Sequence, residues 1–323
     1  MLEGQPGRSY IMRLTDAGME TVLVFEEGIE LPHFAAFPLV DTVAGQAALH
    51  RYYTPFLELA RDRGVGLVLS APTWRASADW GTLLGYDAEA LAAANRRAVA
   101  LAEAIRDEVL SPDDRGDVVI EAFVGPRSDA YRPTITMSTG EAERYHMPQV
   151  RALAEAGVHQ VNGLTLAYTE EAIGIARAAR TVGVPAVIAF TVETDGRLPN
   201  GMTIETAIEA VDDATSGSVA SFMINCAHPA HFADALPHGD ARLRIRGLRA
   251  NASRLSHAEL DVAEELDAGD AIDLATRYVG LRDRLPELDV LGGCCGTDIS
   301  HVTAICDAWL ASRPSGAVEG RGL

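Results

Sequence analysis

The chain has 323 residues, 48% of them hydrophobic, and its 46 acidic against 27 basic residues give a formal net charge of −19. A surface this acidic repels phosphate backbones and anionic headgroups, so nucleic-acid and membrane-surface binding are disfavoured. No lysine occurs among the 27 basic residues, which removes Schiff-base chemistry, a lysine-anchored pyridoxal cofactor and a phosphate-loop lysine.

Short apolar or β-branched runs alternate with longer amphipathic stretches. After an N-terminal extension over residues 1–9, a first strand is predicted over Tyr10–Thr15, ending at Asp16-Ala17-Gly18. A helix over Gln46–Arg63 leads to a second strand, Gly66–Leu69. A helix over Ala88–Glu108 leads to a third, Val118–Phe123. The next helical pattern, Ala142–Ala156, is interrupted by Pro148, which kinks a helix or delays its start. The fourth strand is His159–Leu164. Thr169 then reads as the N-cap of a helix over Glu170–Val182, with Glu170 and Glu171 suited to its positive end.

The fifth strand, Ala186–Val192, is followed by the Gly-containing loop Asp195–Gly201, which reads as a turn because no phosphate-binding fingerprint follows it. The sixth is Ser221–Ile224, ending at Asn225-Cys226. The seventh is Leu243–Leu248. The eighth is Leu288–Leu291, ending at Gly292-Gly293-Cys294-Cys295-Gly296, and a helix over Val302–Ala311 closes the pattern. The tail, residues 313–323, is rich in Gly and polar residues and is expected to fray. Strands alternating with helices make an α/β protein with a parallel sheet. Eight repeats fit a closed (β/α)₈ barrel in one domain over residues 10–312.

Residues 1–10 have no apolar core of the signal-peptide type, and no apolar run approaches the about 20 residues needed to span a bilayer. A cytoplasmic protein is expected, in which clustered cysteines suggest metal or catalysis before disulfides. There are four cysteines. Cys226, Cys294 and Cys295 fall at strand ends, where a barrel of this class builds its active site. Their strands are separated by one neighbour, close enough for three sulfurs to reach one ion. Zinc binds sulfur at about 2.3 Å, and a catalytic zinc keeps three protein ligands and one open position. Neighbouring strand residues point to opposite faces, so two adjacent ligands demand an unusual turn, which the flanking glycines permit. The Cys-Cys pair also admits a strained vicinal disulfide or plain packing.

Other residues carry bland readings beside functional ones. Cys306 reads as a core residue of the last helix. His228, His231 and His238 follow Cys226 closely and read as a polar loop more than as ligands. Asp16 reads equally as substrate contact or helix cap. Glu121, inside the third strand, needs a partner, for which Arg127 and Arg246 are the candidates.

At this point Val290-Leu-Gly-Gly-Cys-Cys-Gly-Thr-Asp298 resembles the zinc signature of the homocysteine S-methyltransferase family. Met223-Ile-Asn-Cys226 resembles its other zinc-binding element, and Leu14-Thr-Asp-Ala-Gly18 its Asp-Gly-Gly turn. The resemblance runs from about Tyr10 to Trp309 in the right order, as read with the sequence-motif logic of cysteine and glycine spacing. It implies a Zn2+ site of Cys226, Cys294 and Cys295 that presents a substrate thiol as a thiolate. That thiolate attacks the methyl group of a positively charged donor. The implied partners are a small-molecule thiol, homocysteine, and S-methylmethionine or S-adenosylmethionine, since no cobalamin-type Asp-x-His-x-x-Gly segment is present. The turn Asp16-Ala17-Gly18 would hold the amino-acid end of the substrate, with Thr165 at the fourth strand's end beside it. Asn225 would orient the neighbouring ligand or substrate.

Two positions depart from the family. Ala17 replaces the first glycine of the turn. Gly163-Leu164-Thr165 stands where members commonly carry Phe-Glu-Thr, with the Glu gripping the substrate ammonium. Glu193 or Asp16 is the expected replacement, or the natural thiol is not an ordinary α-amino acid. Two other classes remain on the sequence alone: a zinc hydrolase or lyase using metal-bound water, and a non-catalytic zinc barrel that binds a thiol.

Overall fold

The apolar runs all become strands. In the computed structural model, which describes residues 12–263 and 265–312, eight parallel strands pair in chain order and close on themselves. They are β1 (Arg13–Thr15), β2 (Gly66–Ala71), β3 (Val118–Val124), β4 (Gln160–Leu166), β5 (Ala186–Phe190), β6 (Ser221–Asn225), β7 (Ile245–Ala250) and β8 (Val290–Gly293). Closure is made by β1 against β8, with Arg13 opposite Val290 and Leu14 opposite Leu291. Every residue of β2 and β5 is buried, as strands covered by helices outside and by packed side chains inside must be. This is the (β/α)₈ barrel expected. Tyr10 and Ile11 of the predicted first strand, the extension 1–9 and the tail 313–323 lie outside the described residues.

The outer layer carries the helices α1 (Val43–Arg63), α2 (Ala88–Val109), α3 (Thr139–Glu155), α4 (Thr169–Val182), α5 (Ile204–Thr215), α6 (Ala271–Gly280) and α7 (Ile299–Ala311). Their starts are set by local chemistry. Thr42, Asp87, Ser138, Thr203, Asp270 and Asp298 each cap a first turn by accepting a backbone N–H, satisfying donors that a helix leaves orphaned. Helix α2 buries Leu91, Ala94, Ala98, Val99, Ala102 and Ile105, the one-sided stripe that a helix lays on a sheet. No helix among the described residues is long and apolar enough to cross a membrane.

Several boundaries differ from the sequence reading, each for a local reason. Helix α3 begins at Thr139, ahead of the predicted Ala142, because Ser138 and Glu141 form a capping box, and it continues through Pro148. The N-cap of α4 is Tyr168, without a side-chain bond; Thr169 is the first helical residue, and its hydroxyl donates to Glu170 at 3.2 Å. Leu243 belongs to a short helix, Ala241–Arg244, so β7 starts at Ile245 and runs on to Ala250, carrying Arg249 inside its end. Strand β8 runs through Gly292 and Gly293 instead of stopping at Leu291. These two glycines answer a spatial need: a Cβ at Gly292 would collide with Thr15, and one at Gly293 with Thr297. Of the run, Gly296 has the left-handed φ of 77°.

Glu121 is partnered differently from expectation. It accepts from Gln160 at 2.6 Å and Ser70 at 3.4 Å, while Arg127 pairs with Asp79 and Arg246 with Asp289. Burial pushes its carboxyl above the usual range, against the pull of the Gln160 bond. The loop Asp195–Gly201 is a turn, with a bridge between Arg197 and Thr203.

One side chain ties the last two strands, β7 and β8, together. The Tyr278 hydroxyl, fully buried, donates to Gly292 O at 2.5 Å and accepts from Ala250 N at 2.8 Å. Replacing it by Phe leaves two buried backbone groups unpaired, and an unsatisfied buried group costs about 1–3 kcal/mol. Tyr278→Phe is therefore expected to lower the urea unfolding midpoint with the slope unchanged, and an unshifted midpoint would show that the tie contributes nothing.

Candidate metal and thiol site

Three of the four cysteines meet at the C-terminal mouth of the barrel. Cys226 follows β6, and Cys294 and Cys295 follow β8. Their sulfurs all lie within 4.8 Å of one another and form the metal-ligand cluster found among the described residues. Cys226 Sγ and Cys295 Sγ are 3.6 Å apart. A tetrahedral ion with bonds of about 2.3 Å to sulfur requires edges of about 3.8 Å between donors, so this spacing fits zinc. All four cysteines are free thiols. Contacts with Cys226 and Cys295 hold the Cys294 thiol well below its ordinary range, and the charge of Arg249 adds to this. A converging set in which one thiol readily ionises is suited to a soft or borderline cation. Cys306 is instead buried in α7, where burial pushes its thiol up to about 11.

The backbone under the cluster is strained. Cys226 and Thr165 adopt φ of 55° and 64°, a left-handed conformation that a β-branched residue rarely takes. Asn225 holds the second of them. Its Oδ1 accepts from Thr165 N at 3.1 Å, and its Nδ2 donates to Thr165 Oγ1 at 2.7 Å. Cys226 is held by its neighbours: its N–H donates to Arg249 O at 3.0 Å, and its carbonyl bonds to the His257 ring at 2.7 Å. Strain of this kind persists only where surroundings over-determine it, and it clusters at functional sites.

A buried ion pair forms the floor beside the cysteines. Arg249 donates to Asp16 Oδ1 at 2.7 Å and to Ala17 O at 3.1 Å, and Tyr52 donates to Asp16 Oδ2 at 3.1 Å. Burial alone would lower the Arg249 guanidinium, but the Asp16 carboxylate outweighs it and holds the cation above its ordinary range.

Above this floor lies a cavity of about 400 Å³ whose wall includes Asp16, Ala17, Gly18, Thr165 and the three cysteines. Glu193 is not in that wall. It lies beside His257 Nδ1 at 3.5 Å with its side chain 38% exposed. Asn225 is fully buried beneath the wall, on Thr165. The three histidines stand apart from the sulfurs: His228 accepts from Ala230 N, His231 bonds to Arg254 O, and His238 is exposed.

Some site residues carry no sequence signal of their own. Tyr131, on the loop after β3, reaches Cys226 Sγ at 2.8 Å and stacks on His257 with ring centroids 3.9 Å apart. Burial and the neighbouring thiols keep its hydroxyl protonated, so it can donate to the Cys226 sulfur. Arg249, Arg75 and Glu20 also face the cavity. Burial pushes the Glu20 carboxyl up to about 7, with the charges of Cys294 and Asp16 adding to the shift. The signal available for Arg249 was a second arginine near the end of a strand that already carries Arg246.

Removing one member of a buried ion pair typically costs about 3–5 kcal/mol, because the other charge is left uncompensated. Arg249→Met is expected to destabilise the protein by that order in denaturant titration. Adding Asp16→Asn should return part of the loss. Additive losses in the double variant would show that the two charges are not coupled.

Comparison with known proteins identifies the family and the fold. The family model described as homocysteine S-methyltransferase matches residues 13–309. A search of the curated proteins finds no match. Among solved structures, the metallated form of the homocysteine methyltransferase MmuM from Escherichia coli is 20% identical with a TM-score of 0.72, covering 93% of this chain and 96% of its own. The oxidized form of the same enzyme is 18% identical with a TM-score of 0.73, covering 92% and 96%. A match over nearly the whole chain shows that this protein belongs to the homocysteine S-methyltransferase family and is a methyltransferase of that kind.

Proposed function

We propose that the protein is a zinc-dependent S-methyltransferase that moves a methyl group from a sulfonium donor to homocysteine, giving methionine. The observation that carries the reading is the convergence of Cys226, Cys294 and Cys295, within 4.8 Å of one another, on the wall of the mouth cavity. Cys226, Cys294 and Cys295 would hold the zinc ion, which when bound would supply Lewis acidity to favour the thiolate form of a substrate thiol near neutral pH. A reducing compartment such as the cytoplasm suits three free thiols.

The chain's own residues set the geometry. Asn225 fixes Thr165 in the cavity wall, and His257, lying beside Glu193, fixes the Cys226 carbonyl. Glu193 thereby acts as an orienting residue at one remove from the substrate. Tyr131 donates its hydroxyl to Cys226 Sγ and limits how much charge that sulfur passes on. Asp16 holds Arg249, whose cation offsets part of the negative charge of the cysteines.

A sulfonium donor fits the same wall. Phe25, Phe34 and Trp74 line it, and aromatic faces attract a cation. The thiolates add an attractive field for a positively charged donor. Methyl transfer converts the sulfonium to a neutral thioether, which removes that attraction and favours release. Catalysis otherwise rests on alignment of sulfur, methyl carbon and leaving group, the contribution that positioning makes to a displacement.

Two measurements test the reading together. Zinc content of the protein purified under reducing conditions should be about one ion per chain, as a site with three thiolates prefers. It should fall in Cys226→Ala, Cys294→Ala and Cys295→Ala and stay in Cys306→Ala. Mass spectrometry of the loaded enzyme with homocysteine and S-methylmethionine or S-adenosylmethionine should detect methionine. Full metal retention in Cys294→Ala, or no methionine with either donor, would overturn the proposal.

A further inference from the structure

Once the cysteines and the Asp16–Arg249 pair are assigned, the charged side chains left on the cavity wall are Glu20, Arg75, Asp129, Asp261, Glu265 and Asp267, the last of which is engaged by Ser253 and the Gly269 N–H. Glu20 lies on the turn after β1 and faces the cavity. Among the described residues its carboxylate takes part in no ion pair; its own backbone N–H bonds to it, and the Arg249 charge acts on it without an ion-pair contact. Arg75 follows β2 and faces the same space. Its guanidinium stacks on two indoles, 3.8 Å from the Trp80 centroid and 4.7 Å from that of Trp74. Its Nε is buried without a hydrogen-bond partner. Asp129 and Glu20 attract it, but neither bonds to it; Asp129 Oδ1 is engaged by the N–H groups of Tyr131 and Arg132.

The groups that the family resemblance assigns to the substrate's charged ends are, by contrast, occupied or missing. The Ala17 N–H donates to the Tyr52 hydroxyl at 3.2 Å, and the Gly18 N–H to Thr297 O at 3.3 Å. Arg249 occupies the Ala17 carbonyl and one oxygen of Asp16. On β4, Leu164 packs with Phe123, Met223 and Val187 inside the barrel, and no carboxylate stands at that place.

We infer that Glu20 and Arg75 are the specificity-determining residues for a zwitterionic thiol, Glu20 taking its ammonium and Arg75 its carboxylate. The inference rests on the proposed thiol methylation and names how that site reads its acceptor. A desolvated charge is costly unless it is paired, and a cavity that holds one acid and one cation, neither in an ion pair, is complementary to a ligand carrying both charges. The two indoles fix the plane of the Arg75 fork, which suits the two-point geometry of a carboxylate. The acidic residues at the cavity's outer edge, Asp261 and Glu265, are exposed, where water competes for any ammonium they meet.

The test is calorimetric titration of the zinc-loaded protein with three thiols: homocysteine, its analogue lacking the amino group, and its analogue lacking the carboxylate. Glu20→Gln should weaken homocysteine and the amine-bearing analogue at least about tenfold, equivalent to about 1.4 kcal/mol, and leave the carboxylate-only thiol unchanged. Arg75→Gln should do the reverse, weakening the two carboxylate-bearing thiols and sparing the amine-only one. Leu164→Glu added to Glu20→Gln should restore part of the lost affinity, and unfolding midpoints matching the unsubstituted protein exclude a folding defect. Variants that bind all three thiols as the parent does, or that weaken all three alike, overturn this inference alone. Absence of any thiol binding in the parent overturns it together with the proposed function.

Discussion

Arg249 and Asp16 face each other at 2.7 Å, both almost completely buried, at the point where the first and seventh strands open into the cavity. Neither charge is tolerable there without the other. Their pairing also does structural work on the turn after β1: the same guanidinium holds Ala17 O, and Tyr52 braces both Asp16 and the Ala17 N–H. Next to this knot, Gly293 N donates to Asp16 O and Cys294 N donates to Ala250 O. The backbone that presents two of the three sulfurs is therefore tied to the strand carrying the cation and to the turn carrying the anion. The cation is in turn what draws Cys294 further toward its ionised form.

The third sulfur depends on a different device. Cys226 stands in a left-handed conformation, as does Thr165 two strands away. Such backbone costs on the order of 1–3 kcal/mol per residue and survives because surrounding bonds leave no alternative. Asn225 fastens Thr165 with both ends of its amide, and β7 and His257 fasten Cys226 by its N–H and carbonyl. A sulfur positioned by backbone needs little side-chain adjustment to meet an ion, which is the preorganisation a metal site on a rigid barrel calls for.

Much of this was legible in the sequence because period and spacing carry it. Eight alternations gave the barrel, and the cysteines stood out because they fell at the ends of apolar runs. What stayed hidden depends on distance in space. Arg249 fell just past the predicted strand end at Leu248, since a buried charge at that place in β7 is tolerable only opposite Asp16, 233 residues away in the chain. Glu193 looked available because it ends a strand, but the approach of His257 leaves it outside the cavity wall. Glu20 and Arg75 had no pattern at all, one in a short turn and one in a loop between aromatic residues. Gly292 and Gly293 were read as freeing the backbone, whereas their role is to make room for Thr15 and Thr297. Strand ends were misplaced where glycines or a charge interrupted the apolar run, which is where tertiary contacts override local pattern.

The absence of lysine has a chemical meaning at such a site. A methyltransferase must carry an electrophilic methyl group past its own side chains before the intended sulfur is reached. A lysine amine with its pKa lowered by burial is a competent nucleophile. The cations facing this cavity are Arg75 and Arg249, and a guanidinium stays protonated, offering donors and no acceptor. They therefore contribute charge and direction to the cavity without offering a lone pair to the donor. The strongest nucleophiles that remain on the cavity wall are sulfurs. Three of these would be held by an ion, and Cys226 also receives a hydrogen bond from Tyr131, both of which withdraw electron density from sulfur. At Cys294 and Cys295, which receive no hydrogen bond from Tyr131, coordination alone would carry that withdrawal.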